Sequence, residues 1–160
     1  MEIRNATMED LPAIAAVEAE CFPAAEAATA EEFAGRLAYY ADHFWLLFEE
    51  GRLAAFVDGF CTDEKDLTDE MYANASLHNE VGAWQMIFGV NTIPCCRRRG
   101  YAELLLQRAI AEARAQGRKG LVLTCKDKLV HYYAKFGFVN EGVSGSTHGN
   151  VVWYQMRLTF

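Results

Sequence analysis

No apolar run in this chain approaches the roughly 20 residues that cross a bilayer. The opening Met1-Glu2-Ile3-Arg4-Asn5 has none of the apolar stretch of a secretion signal. A cytoplasmic protein with no membrane partner is the expectation. The cysteines, at positions 21, 61, 95, 96 and 125, are odd in number and contain no Cys-x-x-Cys spacing. Adjacent Cys95 and Cys96 are badly placed to ligate one metal together. Reduced thiols are the simplest state, and Cys125, in an apolar run, reads as a packing residue. The histidines at 43, 78, 131 and 148 show no ligand spacing either, so no metal is expected.

Basic charge is also scarce, with 15 Lys and Arg against 22 Asp and Glu and a formal net charge of −7. A nucleic-acid surface needs a wide basic face, which this balance excludes. A local positive cluster in such a chain suits a small polyanion instead. The acidity also suits the steering of a cationic amine, although solubility explains it equally. There is no linker, repeat or low-complexity tract. At 160 residues and 52% hydrophobic content, positions 1–160 fit one domain whose core needs no disulfide. Nothing in the sequence indicates an oligomeric state.

Residues 1–4 read as an edge strand. Asp10-Leu11-Pro12 opens a helix with Leu11, Ile14, Ala15 and Val17 at helical spacing, and the pattern stops at Phe22-Pro23. Thr29-Ala30-Glu31-Glu32 has the form of a capping box and starts a second helix carrying Phe33, Leu37 and Tyr40 on one side. Runs 43–49 and 53–60 flank Glu50-Gly51-Arg52 and read as an antiparallel hairpin. Residues 63–79 are polar and loosely helical, a mobile surface segment. Residues 84–90 read as one continuous apolar strand, 98–116 as an amphipathic helix and 121–125 as a buried strand, so the helix is a right-handed crossover between parallel strands. A short helix over 130–135, closed by Gly137, precedes strands over 138–142 and 151–158. The order predicts a mixed α+β sheet with helices on both faces.

The segment Arg97-Arg98-Arg99-Gly100-Tyr101-Ala102 lies between that apolar strand and the amphipathic helix. A strand that breaks at Pro94, turns through a glycine and opens a helix leaves backbone N–H groups aimed at one point beside three cations. An exposed basic helix start is the plainer alternative. The spacing Arg97-x-x-Gly100-x-Ala102 resembles the acyl-coenzyme-A loop of the GNAT N-acetyltransferases. The run 122–138, ending Tyr133-x-x-Phe136-Gly137-Phe138, resembles the carboxyl-terminal signature of the same superfamily, and its later part is similar to the arylalkylamine (serotonin) N-acetyltransferases. Glu20-Cys21-Phe22-Pro23, Glu26 to Thr29, Gly51 to Phe56, Leu67-Thr68 and Leu77-His78 extend the likeness in order over about residues 14–140.

This resemblance implies a mostly antiparallel sheet of about seven strands, splayed after the fourth. It implies acetyl-CoA as cosubstrate, bound by the backbone at Val90 and Thr92 and by Arg97, Arg98, Arg99, Gly100, Tyr101 and Ala102. The implied reaction is direct attack by a small-molecule primary amine, arylalkyl or polyamine, on the thioester in a ternary complex. Peptide amino-terminal acetylation and non-catalytic acyl-CoA sensing are the alternatives. Tyr133 matches the family tyrosine that protonates the leaving thiolate, a role a phenol can fill at neutral pH; Tyr132 reads as packing. The general base is not supplied by the likeness, because Met86 and Phe88 stand where arylalkylamine enzymes of the vertebrate type carry two histidines. Glu20, Glu26 and Asp58 are the candidate bases, acting through water. Phe22 and Pro23 fall in the family's substrate loop. Trp84, Met86 and Phe88 share one strand face, which lines either an apolar acceptor pocket or the core.

Overall fold

The computed structural model describes residues 1–146 and 148–160. An edge strand, β1 (Glu2–Asn5), leads into α1 (Leu11–Cys21), whose second residue, Pro12, suits a helix start. Helix α2 (Ala30–Tyr40) begins at the expected capping box, with Glu32 N–H donating to Thr29 Oγ1 at 3.1 Å and Thr29 N–H to Glu32 Oε1 at 3.1 Å. Strands β2 (Phe44–Glu49) and β3 (Arg52–Asp58) form the expected hairpin, turning through Glu50 and Gly51 at positive φ. The same chain direction continues past Gly59 into the short β4 (Cys61–Thr62).

Residues 63–79 are tied down rather than loose. They contain α3 (Asp69–Ala73) and bury Leu67 and Met71 in the core. The expected continuous strand over 84–90 is two strands, β5 (Trp84–Ile87) and β6 (Gly89–Thr92), interrupted at Phe88. Both Phe88 and Ile93 donate their N–H groups to β3, to the carbonyls of Asp58 and Ala54. Five residues apart, they cannot both do so in an unbroken ladder, so the alternation slips by one between them. Helix α4 (Tyr101–Ala115) starts three residues later than expected, because Arg98 and Gly100 take left-handed backbone conformations (φ 67° and 79°). β7 (Gly120–Cys125), α5 (Val130–Ala134), β8 (Val139–Val143) and β9 (Tyr154–Thr159) complete the chain.

The strands form two sheets, in the orders β1-β2-β3-β6 and β4-β5-β7-β9-β8. The count exceeds the expected seven because two long strands are each broken into a pair. β5 runs parallel to β7 from Trp84 opposite Gly120 to Ile87 opposite Leu123, as the crossover requires. Among the described residues, β6 beyond Phe88 pairs only with β3, while Thr124 and Cys125 of β7 pair only with β9. The two sheets part there, leaving one edge of β6 and one edge of β7 facing each other across a gap. Phe33 of α2 packs edge-on against Phe44 and Phe56 on one face, and Trp45, on the other, donates to Glu112 of α4 at 3.1 Å. The result is an α+β domain with helices on both faces of its sheets.

Candidate functional site

A cavity of about 620 Å³ opens where β6 and β7 diverge. Its β6 wall is built by the slipped ladder. Ile93 bonds to β3, so by alternation Asn91 faces β3 and the backbone groups of Val90 and Thr92 face the gap. Thr92 O shows this directly, accepting from Arg97 Nε at 3.1 Å and from Cys21 Sγ at 3.3 Å. At the mouth, the N–H groups of residues 98–103 have no backbone acceptor among the described residues. Gly100 holds φ 79° with nothing within 4 Å of the point where a Cβ would stand, so the approach to these amides is open. Open N–H groups beside exposed Arg97, Arg98 and Arg99 form an anion cradle that fits a pyrophosphate.

The expected cofactor residues divide by position. Val90, Thr92, Arg97 and Ala102 line the cavity, whereas Arg98, Arg99 and Gly100 stand outside it at the helix start. The Tyr101 hydroxyl is turned away, donating to Glu49 Oε2 of β2 at 2.6 Å, so only its backbone is available to a ligand. Tyr133, on α5, is buried and lines the cavity from the β7 side, with Tyr132 and Cys125. Burial raises the Tyr133 pKa further above the usual phenol value. It also pushes the Cys125 thiol up to about 11, and Cys125 donates to Met156 Sδ at 3.6 Å, in keeping with a packing residue.

Of the expected acceptor residues, Phe22, Pro23 and Phe88 line the cavity. Trp84 and Met86 do not; they are in the core, Met86 fully buried and Trp84 covered by the Arg157 guanidinium at 4.6 Å. Phe88 reaches the cavity because it lies just beyond the end of β5, where the two sheets part. Of the candidate bases, Glu20 lies outside, exposed and 4.0 Å from Arg52. Glu26 lines the cavity but is paired with Lys126 Nζ at 2.8 Å. Asp58 lines it as well, at 1% exposure, with Oδ2 accepting from Arg36 Nη1 at 3.0 Å. Burial pushes Asp58 up to about 7, against the opposing pull of Arg36.

Glu18 and Tyr72 join the cavity with no sequence expectation behind them, and His148 joins it as a loop histidine able to approach the amine pocket. Glu18 accepts from Asn91 Nδ2 at 2.8 Å and from Ala28 N at 2.9 Å, its pKa raised by burial. Tyr72 of α3 hydrogen-bonds Thr124 at 3.0 Å, and its ring stacks on His148 at 5.7 Å. His148 Nε2 donates to Glu26 O at 2.7 Å, which assigns the lone pair to Nδ1. Glu18 follows Ile14 by four residues on α1, a spacing from which its inward direction could have been found; Tyr72 carries no comparable local signal.

Away from the cavity, His43, His78 and Glu80 come together, a grouping the sequence spacing does not reveal. His78 Nδ1 accepts the Cys61 N–H at 3.1 Å, so its Nε2 carries the proton that meets Glu80 Oε1 at 3.0 Å. That nitrogen has no lone pair to offer a cation. Glu80 is held further by His43 Nε2 at 2.9 Å and Arg118 Nη2 at 3.2 Å.

Residues 11–138 match the Acetyltransferase (GNAT) family. The chain belongs to this family. Among curated GNAT proteins it is similar to the serotonin N-acetyltransferase of Mesocricetus auratus, 32% identical over 111 residues, which is 69% of this chain and 52% of that protein. The chain thus spans about half the length of the curated relative it matches. Among solved structures, the loading GNATL domain of CurA from Lyngbya majuscula shares the fold with a TM-score of 0.87 at 16% identity, over 99% of this chain and 96% of that one. GphF GNAT-like decarboxylase in complex with isobutyryl-CoA gives 0.85 at 22% identity, over 99% of both chains. PaiA N-acetyltransferase from Thermoplasma acidophilum, in complex with coenzyme A, gives 0.73 at 15% identity, over 99% and 98%. At these identities the GNAT fold is what is shared.

Proposed function

We propose that this GNAT protein is an acetyl-CoA-dependent N-acetyltransferase acting on a small primary amine by direct attack in a ternary complex. The observation that carries the reading is the cavity between the parting strands, with an anion cradle at its mouth and the Tyr133 phenol on its inner wall. In this reading the amides of residues 98–103 and the adjacent arginines take the pyrophosphate. The exposed edge at Val90 and Thr92 takes the amide-bearing arm of the cofactor, directing the thioester toward Tyr133. Bound acetyl-CoA supplies the activated acyl carbon. Phe22, Pro23 and Phe88 provide the apolar side of the acceptor pocket.

A small acceptor is favoured over a peptide because α3, anchored by Leu67 and Met71, brings Tyr72 into the cavity wall where an open groove would be required. The free cysteines, none of them in a disulfide, suit a reducing compartment such as the cytoplasm. Thiol release from acetyl-CoA over a panel of amines tests the activity. At least one arylalkylamine or polyamine is expected to accelerate release well above the rate without acceptor. No acceleration by any amine, with cofactor binding intact, overturns the reading.

Gly100→Val tests the cradle separately. A β-branched residue at φ 79° is strained and blocks the close approach of a phosphate to the helix start. Coenzyme A affinity, measured by calorimetry, is expected to fall about tenfold or more. An unchanged affinity in the folded variant places the pyrophosphate elsewhere.

A further inference from the structure

Gly89 has no side chain, and the floor it leaves bare adjoins the Asp58 carboxylate and the Asn91 amide. A Cβ added there would lie 2.8 Å from Asp58 Oδ1 and 3.7 Å from both Oδ1 and Nδ2 of Asn91. Asp58 and Asn91 are each 1% exposed, and neither oxygen finds a donor among the described residues. The remainder of each side chain is fixed. Asp58 Oδ2 is held by Arg36, and Asn91 Nδ2 donates to Glu18 Oε1, which identifies Oδ1 as the free end of the amide. Asp58, Gly89 and Asn91 all line the cavity. Acceptors buried without donors are costly, and two that belong to the same stretch of cavity lining are relieved by a ligand carrying at least two N–H groups.

We infer that the floor over Gly89 receives the acceptor's reactive nitrogen as an ammonium ion, with Asp58 Oδ1 and Asn91 Oδ1 each accepting one N–H, and that Asp58 is the base that deprotonates it. The inference rests on the amine-acetylation reading above. One N–H bond of the ammonium breaks and its proton becomes the Asp58 O–H, leaving a neutral amine. The nitrogen lone pair forms the C–N bond at the thioester carbonyl, the C–S bond breaks, and the thiolate takes the Tyr133 proton. The nitrogen of the adduct then loses its second proton, which restores the Tyr133 phenol through water. Asp58 returns its own proton to solvent, so the net products are the amide, coenzyme A thiol and one proton.

The groups facing Asp58 are Glu18 from α1, Arg36 and Tyr40 from α2, and Tyr72 from α3. With burial holding Asp58 near 7 and alkylammonium ions near a pKa of about 10, the carboxylate and ammonium coexist between those values. The second-order rate for the amine therefore climbs as pH rises through about 7.

The test follows initial rates with acetyl-CoA and two probe amines, 2-phenylethylamine and 1,4-diaminobutane, across pH 5.5–9, with coenzyme A affinity measured in parallel. Gly89→Ala, which changes no charge, is expected to lower kcat/KM for the amine about tenfold or more while coenzyme A affinity stays within about twofold. Asp58→Asn is expected to lower kcat about 100-fold and to remove the acidic limb. Should Asp58→Asn not fold, Gly89→Ala carries the test alone. Wild-type kcat/KM in Gly89→Ala overturns the inference, as does an acidic limb that persists in Asp58→Asn or that vanishes in His148→Gln instead. A wild-type protein that binds coenzyme A and acetylates no amine overturns both this inference and the reading beneath it. That pattern differs from an active wild type with indifferent variants, where this inference alone fails.

Discussion

Arg36→Ala is expected to lose about 3–5 kcal/mol of unfolding free energy at pH 7, read from urea denaturation. Arg36 is 4% exposed, its Nη1 pairs with Asp58 at 3.0 Å, its Nη2 donates to Tyr72 O at 3.1 Å, and its guanidinium lies 5.0 Å from the Phe33 ring centre. Removing it leaves buried Asp58 without a cation, so the folded state holds Asp58 protonated, and that cost together with the lost hydrogen bonds to Asp58 and Tyr72 O sets the size of the loss. The Arg4–Asp10 pair, with the Arg4 side chain 37% exposed, shows the contrast, since solvent screening limits such a pair to about 1 kcal/mol or less. The loss has a direction in pH. Without Arg36 the folded-state pKa of Asp58 rises still further above that of the unfolded chain. Between the two values the folded state binds the extra proton, so stability is kept at acid pH and lost as pH rises from about 4 toward and past 7. A variant that loses less than about 1 kcal/mol, or whose deficit shrinks as pH rises, contradicts this account.

Tyr133→Phe is expected to lower kcat about 100-fold with coenzyme A affinity nearly unchanged. The apparent difficulty is that burial raises the phenol, making it a weaker acid than a free tyrosine. The neighbouring Cys125 eases it: the same surroundings push that thiol up to about 11. A coenzyme A thiolate formed in this cavity is made more basic by the same cause, which offsets part of the rise of the phenol. Among the described residues the Tyr133 hydroxyl has no hydrogen-bond partner, which leaves its proton free to be donated. A protein that merely senses acyl-CoA has no turnover to lose. A Tyr133→Phe variant with wild-type kcat removes the phenol from the mechanism.

Local chemistry made much of the fold legible. The Thr29 to Glu32 capping box, the Glu50-Gly51 turn and the apolar run ending at Cys125 each became the expected element. The slip at Phe88 was not legible, because an unbroken apolar run has the same appearance whether its ladder is continuous or shifted by one. The place where the sheets part, just beyond β5, puts Phe88 at the cavity and leaves Trp84 and Met86 in the core. The polar floor was only partly legible. Asp58 drew notice as a carboxylate at the end of an apolar strand, but its partners Arg36, Asn91 and Glu18 come from three separate elements that only the tertiary fold brings together. The bond from His148 to Glu26, far apart along the chain, was not legible for the same reason.

The parted strands have a consequence for hydrogen exchange. The amides of Val90 and Thr92 lie on an edge with no partner strand, so they trade deuterium readily, while Asn91, bonded to β3 one residue away, does not. A cofactor arm that fills this edge acts as a short surrogate strand and slows exchange at alternate positions only, writing a two-residue period into the protection pattern.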